Sequence, residues 1–348
     1  MGVVRLLFAL SVVASHSNSY PFLKFVGSEI AVQSFFMISG FYMAMIQSNY
    51  TSKIKFWKSR YLRLYPTYIF CILVTFFLQQ KFSFLSQLYN LPFPAGFFLI
   101  FTNLTMLFQD VTMFIGINNN TVHFTKYFID STPPLYQFLL IPPGWSIGLE
   151  ISFYLIAPWI LKKKNIYILS IICISLITRI ILQLNGFIGD PWSYRFFPSE
   201  LAIFLIGSQA FYIYSGKEIN EKKSWLSQLL YLYIILIIIT FPFIPIEPQL
   251  KKLLCYCLFA LSLGKIFDLT KDNKLDKLIA LLSYLIYCCH LIVLYNILPA
   301  ISYWADNGTF LNTLVTFITV IIISFLIYFF IEKPIEYYRK RYKTHNLA

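Results

Sequence analysis

Arg5 and His16 stand eleven residues apart in the first apolar stretch of the chain, residues 3–19. Eleven positions make almost three turns at 3.6 residues per turn, so both side chains share one helix face with a rise of roughly 16 Å between them. Charged and titratable groups at membrane depth are costly and are usually kept for function. An imidazole titrates close to neutrality and suits removal of a proton from an alcohol. Read alone, His16 could equally cap the helix among Ser15, Ser17 and Asn18, and Arg5 could be a snorkelling anchor. Together, a cation near one end and a base near the other suit a long anionic carrier lying along the face. Coenzyme A has that shape and charge.

Further chemistry-bearing residues recur along the chain. Arg60 and Arg63, in the run Phe56 to Pro66, sit one helical turn apart at the start of an apolar stretch. Guanidinium groups at that spacing can grip phosphates, although basic residues at the end of a span also report orientation alone. The segment Pro142-Pro143-Gly144-Trp145-Ser146-Ile147-Gly148-Leu149-Glu150 opens another apolar helix. Its Glu150 should lie at about the depth of His16, where a buried carboxylate needs a partner, and His16 or Arg195 could serve. Ser146 reads as a helix cap without nucleophile-elbow context. Ser39-Gly40 favours close helix packing. His290 either faces the same cavity or bonds a neighbouring helix, and Glu332-Lys333-Pro334 reads as a helix stop or an ion pair.

These residues need a scaffold, and composition names its class. The 348 residues are 58% hydrophobic and only 12% charged, with a mean hydropathy of +0.68, which excludes a soluble globule and predicts an all-α integral membrane protein. A net charge of +13 therefore records loop orientation rather than nucleic-acid binding. The six cysteines lie in apolar stretches without zinc-ribbon spacing, so neither disulfides nor a metal are expected. The first stretch carries Arg5 and His16 and reads as a retained span rather than a cleaved signal.

Apolar runs long enough for a bilayer core fall near 3–19, 30–48, 64–80, 145–161, 166–184, 198–215, 226–245, 250–266, 278–298 and 310–331. About ten transmembrane helices with both termini cytoplasmic would gather most cations inside: Lys53 to Arg63, Lys162 to Lys164, Lys217 to Lys223, Lys265 to Lys277 and Lys333 to Lys343. A shorter stretch, 93–109, begins after Pro92 and Pro94 and is interrupted by Thr102, Asn103 and Thr105; were it to cross, every later cluster would face outward. It is therefore read as re-entrant or interfacial within a long outer loop, 81–144, of the length that usually carries function. Asn119-Asn120-Thr121 in that loop matches a glycosylation tripeptide, a weak signal. No internal repeat or separate soluble domain is visible, so residues 1–348 are expected to form a single membrane domain.

In order, these fragments resemble the acyltransferase-three family, multi-spanning membrane O-acyltransferases of bacterial surface polysaccharides and lipids. The resemblance runs from Arg5 and His16 through Phe35-Phe36-Met37-Ile38-Ser39-Gly40-Phe41 and Arg60-Tyr61-Leu62-Arg63-Leu64-Tyr65-Pro66. It continues through Trp145 to Glu150 with Phe153-Tyr154, Arg195 before Phe204 and Gly207, Ser283-Tyr284 with Tyr287 and His290, and Glu332-Lys333-Pro334. The chain departs from the family at Gln33, where an acidic residue is common, and lacks the usual Asp-Gly-Leu before the first Arg.

The resemblance implies transfer of an acyl group, acetyl in the first instance, from cytoplasmic acetyl-CoA to a sugar hydroxyl at the outer face of the cytoplasmic membrane. Arg5, Arg60 and Arg63 would hold the donor's phosphates. His16 would act as base or carry the acyl group, Glu150 would orient it, and Trp145, Ser146, Arg195 and His290 would touch substrate. Capsule, O-antigen, exopolysaccharide or a lipid-linked sugar all fit as acceptor. Two other classes compete: a flippase for a polysaccharide precursor, for which no inverted repeat is seen, and a non-catalytic scaffold or sensor, which would make the buried charges needless.

Overall fold

A computed structural model of the chain describes residues 1–78, 81–216, 225–301 and 308–336. Lys217, Lys222, Lys223, Arg339, Lys340, Arg341 and Lys343, cations of the expected inner clusters, lie outside the described residues. The molecule is mostly helical: α1 Gly2–His16, α2 Gly27–Ile46, α3 Lys53–Leu78, α4 Lys81–Tyr89, α5 Phe93–Thr105, α6 Gly144–Ile160, α7 Asn165–Leu184, α8 Phe197–Ser215, α9 Trp225–Thr240, α10 Pro248–Thr270, α11 Lys274–Ile292, α12 Leu298–Ile301 and α13 Phe310–Ile327. Each of the ten long apolar runs coincides with one of these helices.

Six helical stretches among the described residues are long and apolar enough to cross a membrane: Pro21–Asn49, Lys53–Leu78, Asn165–Leu184, Pro248–Thr270, Lys274–Ile301 and Phe310–Glu336. Their outward faces carry large exposed apolar side chains, among them Ile174, Ile177 and Ile181 on α7 and Ile318, Ile322 and Phe325 on α13, the surface that lipid rather than water would cover. By contrast α1, α6 and α9, of 15, 17 and 16 residues, reach only about 22–26 Å at 1.5 Å per residue. Much of α1 and α6 is buried by neighbouring elements, whereas α9 leaves Leu229, Leu232 and Leu236 exposed.

The stretch 93–109 forms α5, whose 13 residues extend only about 20 Å, well short of the roughly 30 Å hydrocarbon core. After it the loop makes a two-stranded hairpin, β1 Ile115–Asn118 with β2 Thr121–Phe124, antiparallel with Asn118 opposite Thr121. Asn119 and Asn120 form its turn with φ of 47° and 59°, the left-handed pair a type I′ turn requires and Asn tolerates. The Asn-Asn dipeptide thus has a backbone role of its own.

Two close contacts set the helix arrangement. On α2 and α8, a Cβ at Gly40 would collide with the carbonyl oxygen of Phe204, and one at Gly207 with that of Met37. The two backbones touch through paired glycines, and Ser208 Oγ donates to the Gly40 carbonyl at 3.0 Å. Phe36, Phe204 and Phe153 stack beside the crossing, at 4.4 and 4.5 Å between centroids. The second contact joins α1 to α11: the Asp276 carboxylate accepts the backbone N–H of Gly2 at 2.7 Å and of Val3 at 3.2 Å, satisfying donors that the first turn of α1 leaves orphaned. Side by side from that cap, α1 and α11 run parallel.

Candidate active site

That parallel pairing assembles two distant histidines. Fourteen residues separate Gly2 from His16, and fourteen separate Asp276 from His290, so two helices starting level bring the two rings level about 21 Å further along. The ring centroids lie 5.0 Å apart, with His290 Nε2 at 3.2 Å from His16 Nδ1. The hydrogen-bond network assigns the protons. His290 Nδ1 is 2.8 Å from the Tyr287 carbonyl, so it must carry a hydrogen and leaves Nε2 as an acceptor. His16 Nδ1 faces that acceptor and the Val12 carbonyl at 3.0 Å, so it too carries a hydrogen. His16 Nε2 is left with a free lone pair, the state a general base needs. His290 is fully buried while His16 is exposed at the helix end.

A cavity of about 1350 Å³ enters from the other end of the bundle. Its lining includes Arg5 on α1, Lys55, Lys58, Arg60 and Arg63 on α3, and Lys277 on α11; it reaches in past Ser39, Glu150 and Tyr154 as far as Ser146 and Tyr287. The Arg5 side chain makes no hydrogen bond or ion pair among the described residues; its Nε is buried and its guanidinium lies 6.0 Å from the Phe35 ring centre. Arg60 donates to Tyr50 Oη and Ser59 Oγ, both at 3.2 Å, with its Nε buried and unpartnered. Buried donors without acceptors are costly, and two such guanidinium groups facing one cavity fit an anion with several acceptor oxygens. Arg63 is partly neutralised by Glu332 at 3.9 Å; Thr67 Oγ1 donates to the same carboxylate at 3.0 Å. The Glu-Lys-Pro segment therefore closes back onto α3 by an ion pair.

Two expected pairings are not made. Glu150 accepts from Ser39 Oγ at 2.7 Å and from the Tyr154 hydroxyl, and bonds neither His16 nor Arg195. Arg195 instead forms a forked pair with Asp190, at 2.6 and 2.8 Å, and lies 4.5 Å from the Trp145 ring centre. The reason is depth: Glu150 is one turn further into α6 than Ser146, about 6 Å, which carries it along the cavity away from the histidine pair. Ser146 is no cap either; its Oγ lies 2.5 Å from Tyr287 Oη and 3.1 Å from the Pro143 carbonyl.

Sequence reading missed two buried groups. Arg179 on α7 pairs with Glu200 on α8 at 2.8 Å, and Gln33 Nε2 donates to the same carboxylate oxygen at 2.7 Å while its Oε1 accepts from Tyr256. An acidic group thus sits beside position 33 although the residue itself is Gln. An arginine within an apolar run is the signal that singled out Arg5, and Arg179 carries it too. In the loop after α5, Asp110 packs against Gly148, where a Cβ would come within 3.1 Å of its Oδ1. Burial pushes this carboxyl up to about 7. No group of three His, Cys, Asp or Glu that could hold a metal occurs among the described residues.

The family model described as an acyltransferase domain matches residues 1–329. The chain belongs to the acyltransferase-three family. It is also similar to an uncharacterized protein of Aquifex aeolicus (strain VF5), 29% identical over 202 residues, which cover 57% of this chain and 83% of that one. No solved structure matches the chain. The basic cavity and the histidine pair are accordingly features of a membrane acyltransferase.

Proposed function

We propose that this acyltransferase moves an acyl group, acetyl in the first instance, from cytoplasmic acyl-CoA to a hydroxyl of a surface polysaccharide sugar at the outer face of the cell membrane. The observation that carries the reading is one cavity with Arg5, Lys55, Arg60, Arg63 and Lys277 in its walls, leading toward a histidine whose Nε2 is free. The unpartnered Nε atoms of Arg5 and Arg60 suit the diphosphate and 3′-phosphate of the donor. The pantetheine arm then runs past Glu150, and the acceptor reaches His16 from the opposite, exposed side. His16 Nε2 takes the hydroxyl proton as the oxygen attacks, and His290 keeps the other nitrogen protonated.

Ten spans, both termini in the cytoplasm and residues 1–348 as one membrane domain complete the proposal, supported by the ten helices and by the shortness of α5. Arg195, Trp145 and Asp190, packed together at the acceptor side, belong to the acceptor site under this reading.

The test is mass spectrometry and proton NMR of the host's surface polysaccharide with the gene intact, deleted, and carrying His16→Ala. Loss of an ester-linked acyl group in both altered strains supports the reading and names the acceptor. Unchanged acylation with less polysaccharide at the surface refutes it in favour of transport.

A further inference from the structure

Between the cavity and the histidine pair stand two hydroxyl groups that the proposed reaction has not used. Ser146 and Tyr287 are 5% and 8% exposed, line the cavity, and lie 2.5 Å apart. Tyr287 joins the two halves of the site: it lines the cavity, while its carbonyl accepts from His290. Its ring centre is 6.0 Å from that of His290.

Their present partner is replaceable. Tyr287 Oη and Ser146 Oγ lie 3.0 and 3.1 Å from the Pro143 carbonyl, and two hydroxyl protons among these three oxygens leave one directed at the carbonyl and one at the other hydroxyl. The same carbonyl also accepts the Ser146 backbone N–H at 3.2 Å. A hydroxyl that turned from Pro143 to a new acceptor would therefore leave no buried group stranded, so the exchange costs little. Both hydroxyls sit at the first turn of α6, where the helix dipole presents its positive end.

We infer that Tyr287, backed by Ser146, donates to the thioester carbonyl of the acyl donor and holds the negative charge that develops on its oxygen. The inference rests on the proposed acyl transfer. The acceptor hydroxyl gives its proton to His16 Nε2 as its oxygen bonds to the carbonyl carbon, and the C=O π pair moves onto the carbonyl oxygen, which accepts the Tyr287 O–H hydrogen bond. Collapse re-forms C=O and breaks the C–S bond, and the CoA thiolate takes the proton from His16. Tyr287 keeps its own proton throughout. A donor aimed at such an oxygen is worth on the order of 10²–10³ in turnover.

The experiment uses membranes holding the full chain, radiolabelled acetyl-CoA, and polysaccharide isolated from the gene-deleted host. With Tyr287→Phe, kcat should fall about 10²-fold or more, KM for acetyl-CoA should stay within about threefold, and the pH profile should keep its wild-type position because the base is intact. Ser146→Ala, which changes volume little, should lower kcat by about tenfold, as for loss of one backing hydrogen bond; it carries the test should Tyr287→Phe fail to assemble. Wild-type kcat in the variants, with His16→Ala inactive, overturns the inference and leaves the proposed function standing. A shifted pH profile in Tyr287→Phe overturns it too, since Tyr287 would then act through the base. Full activity in His16→Ala sinks the underlying reading instead.

Discussion

Replacing His290 distinguishes a histidine that holds a proton on His16 from one that passes protons itself. In the structure His16 Nδ1 has two acceptors, His290 Nε2 at 3.2 Å and Val12 O at 3.0 Å. His290→Phe keeps a planar ring in a fully buried site but removes the first acceptor. The carbonyl remains, so His16 Nδ1 stays protonated and Nε2 stays free. What is lost is one neutral hydrogen bond, about 1 kcal/mol, and at 1.36 kcal/mol per tenfold that is roughly a fivefold fall in kcat. His290→Gln supplies an amide oxygen to the same Nδ1–H and should restore most of the loss. The assay is the initial rate of acetyl transfer from acetyl-CoA in membranes, compared at equal amounts of folded protein. General acid–base groups are worth about 10²–10⁴, so a fall beyond a hundredfold in both variants would refute the reasoning and make His290 a proton carrier. Wild-type rates in both would show the contact to be idle.

Other consequences follow from the same geometry. Arg5→Met and Arg60→Met should each raise KM for acetyl-CoA about tenfold or more, the worth of a charge-assisted hydrogen bond, with kcat nearly unchanged; equal KM values would detach the cavity from donor binding. Gly207→Ala, which drives a Cβ onto the Met37 carbonyl, should abolish or sharply lower the yield of folded protein on size-exclusion chromatography. Gly96→Ala, which meets only Leu88 O at 3.5 Å, should be harmless. The raised Asp110 pKa means that folding favours the protonated form. Its stability contribution is therefore full below about pH 4 and is lost as pH rises to about 7. Asp110→Asn should remove that dependence from the thermal midpoint in detergent, and an unaltered pH slope would count against the assignment.

Much of the scaffold could be read from the sequence because long apolar runs declare themselves: each of the ten falls on a helix, and six of the helical stretches among the described residues are long and apolar enough to cross a membrane. Polarity within or beside those runs also singles out Arg5, Arg60, Arg63, Ser146 and Glu150, and all five line one cavity. The contact between His16 and His290 was not readable, because it depends on α1 and α11 being parallel and starting level, a tertiary fact fixed by Asp276 capping α1. Glu150 bonds Ser39 and Tyr154 rather than His16 or Arg195 for a related reason. Its depth relative to His16 depends on where α6 begins and how it crosses α2, where Ser39 meets it. Arg179 and Glu200 were visible as charges in apolar runs, but no motif drew attention to them.

Under this reading His16 passes an acyl group from a donor bound at the basic end to an acceptor at the other. Sealed proteoliposomes of fixed orientation, with radiolabelled acetyl-CoA on one side only and the unacylated polysaccharide on the other, put that transfer to the test. Labelled polysaccharide is expected when acetyl-CoA is on the side of Lys55, Arg60 and Lys277, with none from the reverse arrangement and none with His16→Ala. Equal labelling from either side, or undiminished labelling with His16→Ala, would contradict it.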